Sequence, residues 1–538
     1  MIPDPQEGLH EAPNGDPEDA ASPERPWWQR AVVYQIYPRS FAEHTAPGRD
    51  ACGVGTLRGI TEHLEHVEWL GVDAVWISPC FRSPMADFGY DVSDYCDIDP
   101  LFGTLADMDD LIAAAHARGI KVLLDWVPNH TSDEHPWFAE SRSSRDNQRA
   151  DWYVWRDQPA NNWMAAFPPG DTAWQYDEPR GQYYLRNFTV HQPDLEWDVP
   201  EVEAAMLDTL RFWLDRGIDG FRMDVVHMIG HDLDVDDPDD HVAAGRSHVP
   251  LNDVPKTHDR LRRVRAVLDE YPGDRTSVGE VYLLDEAAIA RYYGQGDELH
   301  MSFNFRFFWT QPTARALRER IDATLAQLQP VGAWPTWTFS NHDAPRHRQR
   351  HGGDERFARV MAVLLLTLPG TPFLYMGECL GLLDAVVPED RVVDPGGRDG
   401  CRAPIPWTAE PLRGWPAEPW LPFPPEAATR NVASMRDDPD SILHVYRTVL
   451  HLRRAHAALQ TGSFEWLDVP GDEVLAYRRG DDWTIVLNLG DEPANLVGST
   501  VGRVAVDAAS DRALVGTTVD RVDGRTAIVG RAAGTMQP

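Results

Sequence analysis

The chain has 538 residues with 85 acidic and 50 basic side chains, which gives a formal net charge of −35 at pH 7. Its hydrophobic content of 42% excludes a disordered protein, and its length allows one large domain and a smaller one. The negative charge repels polyanions, so it argues against nucleic acid as a partner and favours a neutral substrate.

Targeting signals and cysteine spacing predict where the protein works. No stretch approaches the roughly 18 apolar residues of a membrane span, and the N-terminus lacks the basic and apolar regions of a secretory signal. Five cysteines, odd in number and widely spaced, indicate a reduced protein rather than a disulfide scaffold. We therefore expect a cytoplasmic protein without a membrane partner.

In chain order, an acidic, proline-rich segment at 1–26 predicts a disordered tail. Eight apolar runs follow, separated by amphipathic helical stretches, and they lack the strict polar alternation of half-exposed strands. The runs span 31–37, 74–78, 121–127, 220–225, 276–281, 301–305, 335–339 and 371–375. Eight β-α alternations predict a TIM (β/α)8 barrel of the α/β class, because a doubly wound open sheet usually has six strands or fewer.

Two segments do not fit the barrel pattern. The chain between the third and fourth runs is far longer than a helix and two loops require, and it is rich in Trp, Pro, Asn and Gly. It predicts a small inserted domain at 130–193. After about residue 460 the pattern changes to short strands and turns, which predicts an antiparallel β domain at 461–538. The barrel would then comprise 27–129 and 194–460.

Polar side chains follow the predicted strands at the ends where TIM barrels place their active sites. Carboxylates of strands four, five and seven should meet there. Any one of them alone is typical of a salt bridge or helix cap, but facing carboxylates raise each other's pKa and are costly unless they are used. Paired carboxylates without a metal or cofactor are typical of glycoside hydrolysis. The polar residues at these strand ends are Asp125, Asn129, His130, Arg222, Asp224, Glu280, His342 and Asp343.

Several of these segments resemble a known family. Residues 34–41, 125–130, 220–224, 279–280 and 340–343 are similar to motifs of the α-amylase family, family 13 of the glycoside hydrolases. The resemblance extends in order from residue 27 to about 407, and 192–195 and 398–402 are similar to its oligo-1,6-glucosidase and α-glucosidase branch. The barrel, the domain inserted after strand three and the C-terminal β domain of that family match the organisation predicted above.

The resemblance implies an activity and three catalytic residues. Asp224 would be the nucleophile, Glu280 the general acid/base, and Asp343 the residue that stabilises the transition state. The expected activity is that of an exo-acting, retaining α-glucosidase on disaccharides and short oligosaccharides. A transglucosylase or sugar-isomerising enzyme, which would use the same covalent intermediate, remains the alternative. The intact carboxylates argue against a non-catalytic relative.

The resemblance also implies a substrate-binding set. Arg402 is expected to pair with Asp87 and close the pocket, and Phe167 and Phe188 to stack near the scissile bond. Val225, taken to lie on the same strand as the nucleophile and to point the other way, would bias the enzyme towards α-1,6 bonds. The full set implied for substrate binding is Asp87, Tyr90, His130, Phe167, Phe188, Arg222, His342 and Arg402.

Neither a metal nor a cofactor is expected. The stretch at 43–56, where many relatives carry an Asp/Asn-rich calcium loop, has lost most of those acids. The acidic loop at 232–243 has neither the glycine nor the glutamate that an EF-hand needs at its sixth and twelfth positions. The expected partner is a small neutral carbohydrate.

Overall fold

The computed structural model describes residues 25–45, 50–283 and 285–533. Residues 1–24 of the predicted tail, and 46–49 of the stretch predicted not to bind calcium, lie outside the described residues. Each of the eight predicted runs contains one strand, and the strands are parallel, which confirms the TIM barrel. The barrel strands are β1 (Val33–Ile36), β2 (Ala74–Ile77), β3 (Lys121–Trp126), β4 (Gly220–Met223), β5 (Thr276–Gly279), β6 (Met301–Ser302), β7 (Thr336–Thr338) and β8 (Thr371–Tyr375).

The barrel closes by a side chain rather than by a backbone ladder. Parallel pairing joins the strands in the order β6-β5-β4-β3-β2-β1-β8-β7. Within the described strands the ladder does not continue from β6 to β7; there the Thr336 hydroxyl donates to the Ser302 carbonyl at 2.6 Å. Because β6 has only two residues, it offers little backbone for pairing on its second edge.

Helices cover the outside of the barrel, and local sequence explains where they begin. Thr104 and Asp107 form a capping box at the start of one helix, and proline opens the helices that begin at 200 and 255. No helix in the described ranges is long and apolar enough to cross a membrane. The helices are Trp27–Arg30, Leu57–Glu62, Leu64–Leu70, Leu105–His116, Pro136–Ser143, Pro200–Asp215, Asp239–Ala243, Pro255–Asp269, Glu286–Arg291, Phe305–Phe308, Ala314–Leu328, His347–Arg350, Glu355–Thr367, Val432–Asp437, Ile442–Ala455 and Ala457–Thr461.

Smaller antiparallel sheets lie in the insertion and near the C-terminus. Between β3 and β4, strands Trp155–Arg156 and Trp174–Asp177 flank Gln182–Leu185. Another pair, Phe81–Arg82 and Asp94–Ile98, follows β2. A six-stranded sheet follows the last helix in the order Phe464–Trp466, Val474–Arg479, Trp483–Asn488, Thr526–Ala532, Val504–Ala509 and Thr518–Val519, beside a pair formed by Ala494–Asn495 and Arg521–Val522. The predicted architecture is therefore confirmed, whereas the boundaries at 130, 193 and 461 remain predictions.

Candidate active site

A cavity of about 300 Å³ lies where the carboxyl ends of β4, β5 and β7 meet the insertion. Three residues that the sequence predicted for the site, Arg222, His342 and Arg402, lie behind its wall and contact the residues that line it. The other predicted site residues line the cavity itself: Asp87, Tyr90, His130, Phe167, Phe188, Asp224, Val225, Glu280 and Asp343.

One buried guanidinium holds three carboxylates together. Arg222 Nη1 donates to Asp125 Oδ1 at 2.7 Å and to Asp224 Oδ1 at 2.8 Å, while Nη2 donates to Glu280 Oε2 at 2.5 Å. Arg222 and Asp224 project from the same face because they are two residues apart at the end of β4. The parallel register with β3 sets Asp125 beside Arg222, and Glu280 follows the end of β5.

Burial raises the pKa of two of these carboxyl groups, Asp125 and Asp224. The pKa of Asp125 is raised to about 7; burial is the main cause, Arg222 opposes the rise and Glu280 adds to it. Burial also raises the pKa of Asp224, with Arg222 opposing and Glu280 and Asp125 adding to the rise. Asp125 and Asp224 share the Arg222 guanidinium and raise each other's pKa, so they titrate together rather than singly.

Asp343 has different electrostatic surroundings. It accepts hydrogen bonds from Arg398 Nη1 at 3.1 Å and Arg402 Nη2 at 3.2 Å, and His342 Nε2 lies 3.2 Å from its other oxygen. Burial alone would raise the pKa of Asp343, but His342 and the two arginines lower it below the ordinary value. Asp343 is therefore ionised at neutral pH.

A chain of hydrogen bonds fixes the histidine beside Asp343. His342 is fully buried, with Nδ1 2.7 Å from Gln35 Nε2 and Nε2 2.5 Å from the Tyr90 hydroxyl. That hydroxyl also donates to Asp125 Oδ2 at 3.2 Å. Burial lowers the pKa of His342 to about 3, so the imidazole is neutral and its orientation is fixed by partners on both nitrogens.

The expectation that Arg402 pairs with Asp87 is wrong. Arg398 Nη2 donates to Asp87 Oδ1 at 2.6 Å. Arg402 instead donates to Asp394 at 3.0 Å and to the His342 carbonyl at 2.9 Å. The reason is the 3-10 turn Asp399–Arg402, which directs Arg402 beneath the pocket wall and leaves Arg398 to face the cavity.

Side chains of the insertion also reach the cavity. The Arg398 guanidinium lies 5.1 Å from the centre of the Phe167 ring, and the Phe188 ring centre lies 5.1 Å from that of His130. Gln192 Nε2 donates to Asp87 Oδ2 at 3.1 Å and lies 3.1 Å from His130 Nε2. The insertion therefore forms one wall of the pocket.

The prediction that Val225 lies on the strand is also wrong. β4 ends at Met223, and Val225 has the left-handed backbone conformation φ 31°, ψ 43°, which is strained for a β-branched side chain. In this conformation its N–H donates to Glu280 Oε2 at 3.2 Å, and its side chain lies in the pocket wall. A turn rather than strand alternation therefore sets its direction.

Some site residues received no role from sequence reasoning. Arg398 and Gln192 lie within the motif segments 398–402 and 192–195, so a signal for them was present. Tyr282 lies two positions after Glu280 and lines the cavity. Asp394 is buried between Arg398 and Arg402, and nothing in its local sequence marks it.

Comparison with known proteins gives the class of this fold and site. A family model described as the α-amylase catalytic domain matches residues 35–462. A probable α-glucosidase of Rhizobium meliloti (strain 1021) is 42% identical over 515 residues, covering 88% of this chain and 91% of that protein. An oligo-1,6-glucosidase of Parageobacillus thermoglucosidasius is 36% identical over 519 residues, covering 86% and 90%.

Solved structures of similar proteins agree with this match. The crystal structure of the α-glucosyl transfer enzyme XgtA has a TM-score of 0.84 and 40% identity, covering 94% of this chain and all of that one. The trehalulose synthase MutB from Pseudomonas mesoacidophila MX-45 has a TM-score of 0.83 and 29% identity, covering 95% and 100%. The protein is thus a glycoside hydrolase of the α-glucosidase-like type. It belongs to the α-amylase family, family 13, as the motifs predicted.

Proposed function

We propose that the protein is an exo-acting, retaining α-glucosidase that removes terminal non-reducing glucosyl units from disaccharides and short oligosaccharides. The observation that supports this most directly is the bridging of Asp224 and Glu280 by the single guanidinium of Arg222. Retaining glycosidases hold their two carboxyl groups about 5–5.5 Å apart, whereas inverting enzymes leave about 6.5–9.5 Å for a water molecule. Two carboxyl groups on one guanidinium fork suit the shorter spacing.

The two carboxylates would have separate roles. Asp224 would attack the anomeric carbon to form a glucosyl ester, kept nucleophilic by the hydrogen bond from Arg222. Glu280 would act as the general acid and give a proton to the leaving oxygen. It would then accept a proton from the water that hydrolyses the ester.

The closed end of the pocket would limit the enzyme to one glucosyl unit. Asp87 is 3% exposed and is held by Arg398 and Gln192, so a longer chain has no path past it. Ionised Asp343 would accept hydrogen bonds from sugar hydroxyls and stabilise the positive charge of the transition state. His130, which lines the cavity, would donate to the same sugar, whereas the expected bond from His342 is not available, because His342 is fully buried with partners on both nitrogens.

A second candidate is glucosyl transfer or sugar isomerisation. Two proteins of similar structure, an α-glucosyl transfer enzyme and a trehalulose synthase, favour this second candidate. It requires the same glucosyl ester on Asp224, with a sugar hydroxyl in place of water as the acceptor. The residues assigned to the first step are the same in both cases.

Parallel digestion of maltose, isomaltose, sucrose, trehalose and nitrophenyl α-glucoside tests the proposal. Glucose released by the wild type, and not by a folded Asp224→Asn variant, is the expected result. Proton NMR should show α-glucose as the first product, and first-formed β-glucose would refute the retaining mechanism. Isomers or transfer products exceeding free glucose at high substrate would instead favour the second candidate.

A further inference from the structure

The chain has two lysines, Lys121 and Lys256, among its 50 basic residues. A lysine amine can form a Schiff base with a carbonyl compound, whereas an arginine guanidinium stays protonated. Lys121 has a side chain that is 36% exposed and donates to Asp219 at 2.9 Å. Lys256 has a side chain that is 37% exposed and donates to Asp198 at 2.7 Å. The two amines therefore match in exposure and in pairing, and they differ in what else surrounds the aspartate.

The aspartate beside Lys121 also holds a histidine. Asp219 directly precedes β4, so it lies at the end of the barrel opposite the cavity, and its side chain is 1% exposed. Its Oδ1 accepts from Lys121 and, at 3.1 Å, from Arg275 Nη1. Its Oδ2 lies 2.6 Å from His116 Nε2. One buried carboxylate thus places an amine and an imidazole side by side, and the His116 side chain is 36% exposed.

The aspartate beside Lys256 has a guanidinium in the corresponding place. Asp198 accepts from Lys256 on Oδ2 and from Arg260 on Oδ1. A guanidinium stays protonated and cannot remove a proton. An imidazole that donates one N–H to a carboxylate keeps its other nitrogen as a proton acceptor. Lys121 therefore has a base within its ion-pair cluster, and Lys256 has a cation at that position.

We propose that Lys121 is a covalent modification site for aldoses, at which His116 catalyses rearrangement of the sugar adduct. The neutral amine bonds to the aldehyde carbon of the open-chain sugar, and water leaves to give a Schiff base. His116 Nδ1 then removes the proton from the second carbon of the sugar. That electron pair forms a double bond to the first carbon, and the electron pair of the imine returns to nitrogen.

A proton shift completes the rearrangement. The hydroxyl on the second carbon loses its proton and becomes a ketone, while the first carbon gains a proton. The first carbon is thereby reduced and the second oxidised, so the step needs no further reactant. The product is a ketoamine on Lys121, heavier than the free lysine by one sugar less one water. Asp219 keeps the imidazole and the amine on neighbouring oxygens throughout.

Peptide mapping of the wild type incubated with D-glucose at neutral pH tests the proposal. Cleavage after arginine leaves Lys121 in peptide 119–142 and Lys256 in peptide 247–260, whether or not either lysine is modified. Mass spectrometry of the two peptides gives the initial rate of ketoamine formation at each lysine. We expect Lys121 to react at least about tenfold faster, because one positioned acid–base group contributes about 10²–10⁴-fold. A smaller ratio would overturn the proposal.

Trapping with cyanoborohydride separates the two chemical steps. The reagent reduces the Schiff base before it rearranges, so the trapped yield reports the first step. Because the two amines are equally exposed and each is paired with a carboxylate, we expect trapped yields at Lys121 and Lys256 within about threefold of each other. A trapped preference for Lys121 as large as its ketoamine preference would refute catalysis by the histidine.

Two variants test the histidine directly. His116→Gln should bring ketoamine formation at Lys121 to within about threefold of that at Lys256, which should itself not change. His44→Gln is the matched control, because His44 pairs with Glu62 at 2.7 Å and its loss leaves both lysine clusters intact. Melting temperatures check folding. An unchanged ratio in folded His116→Gln would refute the proposal. The sugar is added, so the result does not depend on the proposed α-glucosidase activity.

Discussion

Replacing Arg398 by Met should separate the role of Arg398 from that of Arg402. Arg398 contacts both the residue at the closed end, Asp87, and the transition-state carboxylate, Asp343, whereas Arg402 reaches Asp343 but not Asp87. In the variant Asp87 keeps the amide of Gln192 but loses its positive partner. We therefore expect weaker binding of the terminal glucosyl unit and a slower chemical step.

The size of the effect follows from these contacts. One charge-assisted hydrogen bond contributes about 1.5–3 kcal/mol, and Arg398 makes one to each of the two site carboxylates. The contact to Asp343 counts for less, because this side chain is 29% exposed and keeps Arg402. A loss of about 3 kcal/mol corresponds to about 10²-fold in kcat/KM. Arg398→Lys should lose about tenfold, because one ammonium cannot satisfy both carboxylates in the geometry of a guanidinium.

Steady-state kinetics on maltose and nitrophenyl α-glucoside provide the assay, with melting temperatures as a check on folding. Arg315→Met is the matched control, because Arg315 is 86% exposed and pairs with Glu319 on an outer helix, so its kcat/KM should equal that of the wild type. A value within threefold of wild type for folded Arg398→Met would refute the assignment of Arg398 to the pocket.

The other predictions concern catalysis, pH, metal and linkage. Replacing Asp224 by Asn, or Glu280 by Gln, should each lower kcat at least about 10²-fold without unfolding the protein, and near-normal turnover in either variant would sink its assignment. Burial lowers the pKa of His66 to about 3, so below about pH 6.5 the unfolded chain binds a proton that the folded chain does not. As pH decreases from about 6 to 4, the free energy of unfolding of the wild type should therefore fall relative to that of His66→Leu, by up to about 1.4 kcal/mol per pH unit. Urea titrations in which the difference between the two proteins does not change with pH would contradict this. Activity should survive EDTA, because the Glu43 carboxylate is already occupied by two backbone N–H groups, at 2.6 and 3.0 Å, and a loss that calcium restores would disprove it. The wild type should cleave isomaltose. Val225→Thr should shift the substrate preference towards maltose, changing the discrimination between the two sugars by no more than about 1–3 kcal/mol. If the wild type and the variant behave identically on both sugars, Val225 does not determine the linkage.

The barrel was predictable because its signal is long-range and repeated. Strands buried on both faces need continuous apolar runs, and all eight runs contain a strand. The predicted ends of the strands were less accurate. The run at 301–305 gives a strand of only two residues, Met301–Ser302, after which the chain turns into the helix Phe305–Phe308. Apolar residues can pack equally well on a strand or on a short helix, so composition alone does not locate that boundary.

The site was predictable where a residue sits at a strand end and less so where a turn decides its direction. Asp224 and Glu280 follow strand register, and the structure brings both to Arg222. The predicted pairing of Arg402 and the predicted strand position of Val225 were wrong. A 3-10 turn and a left-handed backbone conformation determine where those two side chains point. Asp394 could not be found from sequence, since its importance comes only from the two arginines that fold around it.

The closure between β6 and β7 has a mechanical consequence. Glu280 follows β5 and Asp343 follows β7, so the two-residue β6 separates the acid/base residue from the residue that stabilises the transition state. Because the Thr336 hydroxyl forms the contact across that gap, this is the part of the barrel wall that can widen at the smallest cost in backbone hydrogen bonds. Heating would then misalign the two carboxyl groups below the melting temperature of the barrel. Activity would therefore be lost at a lower temperature than the folded structure.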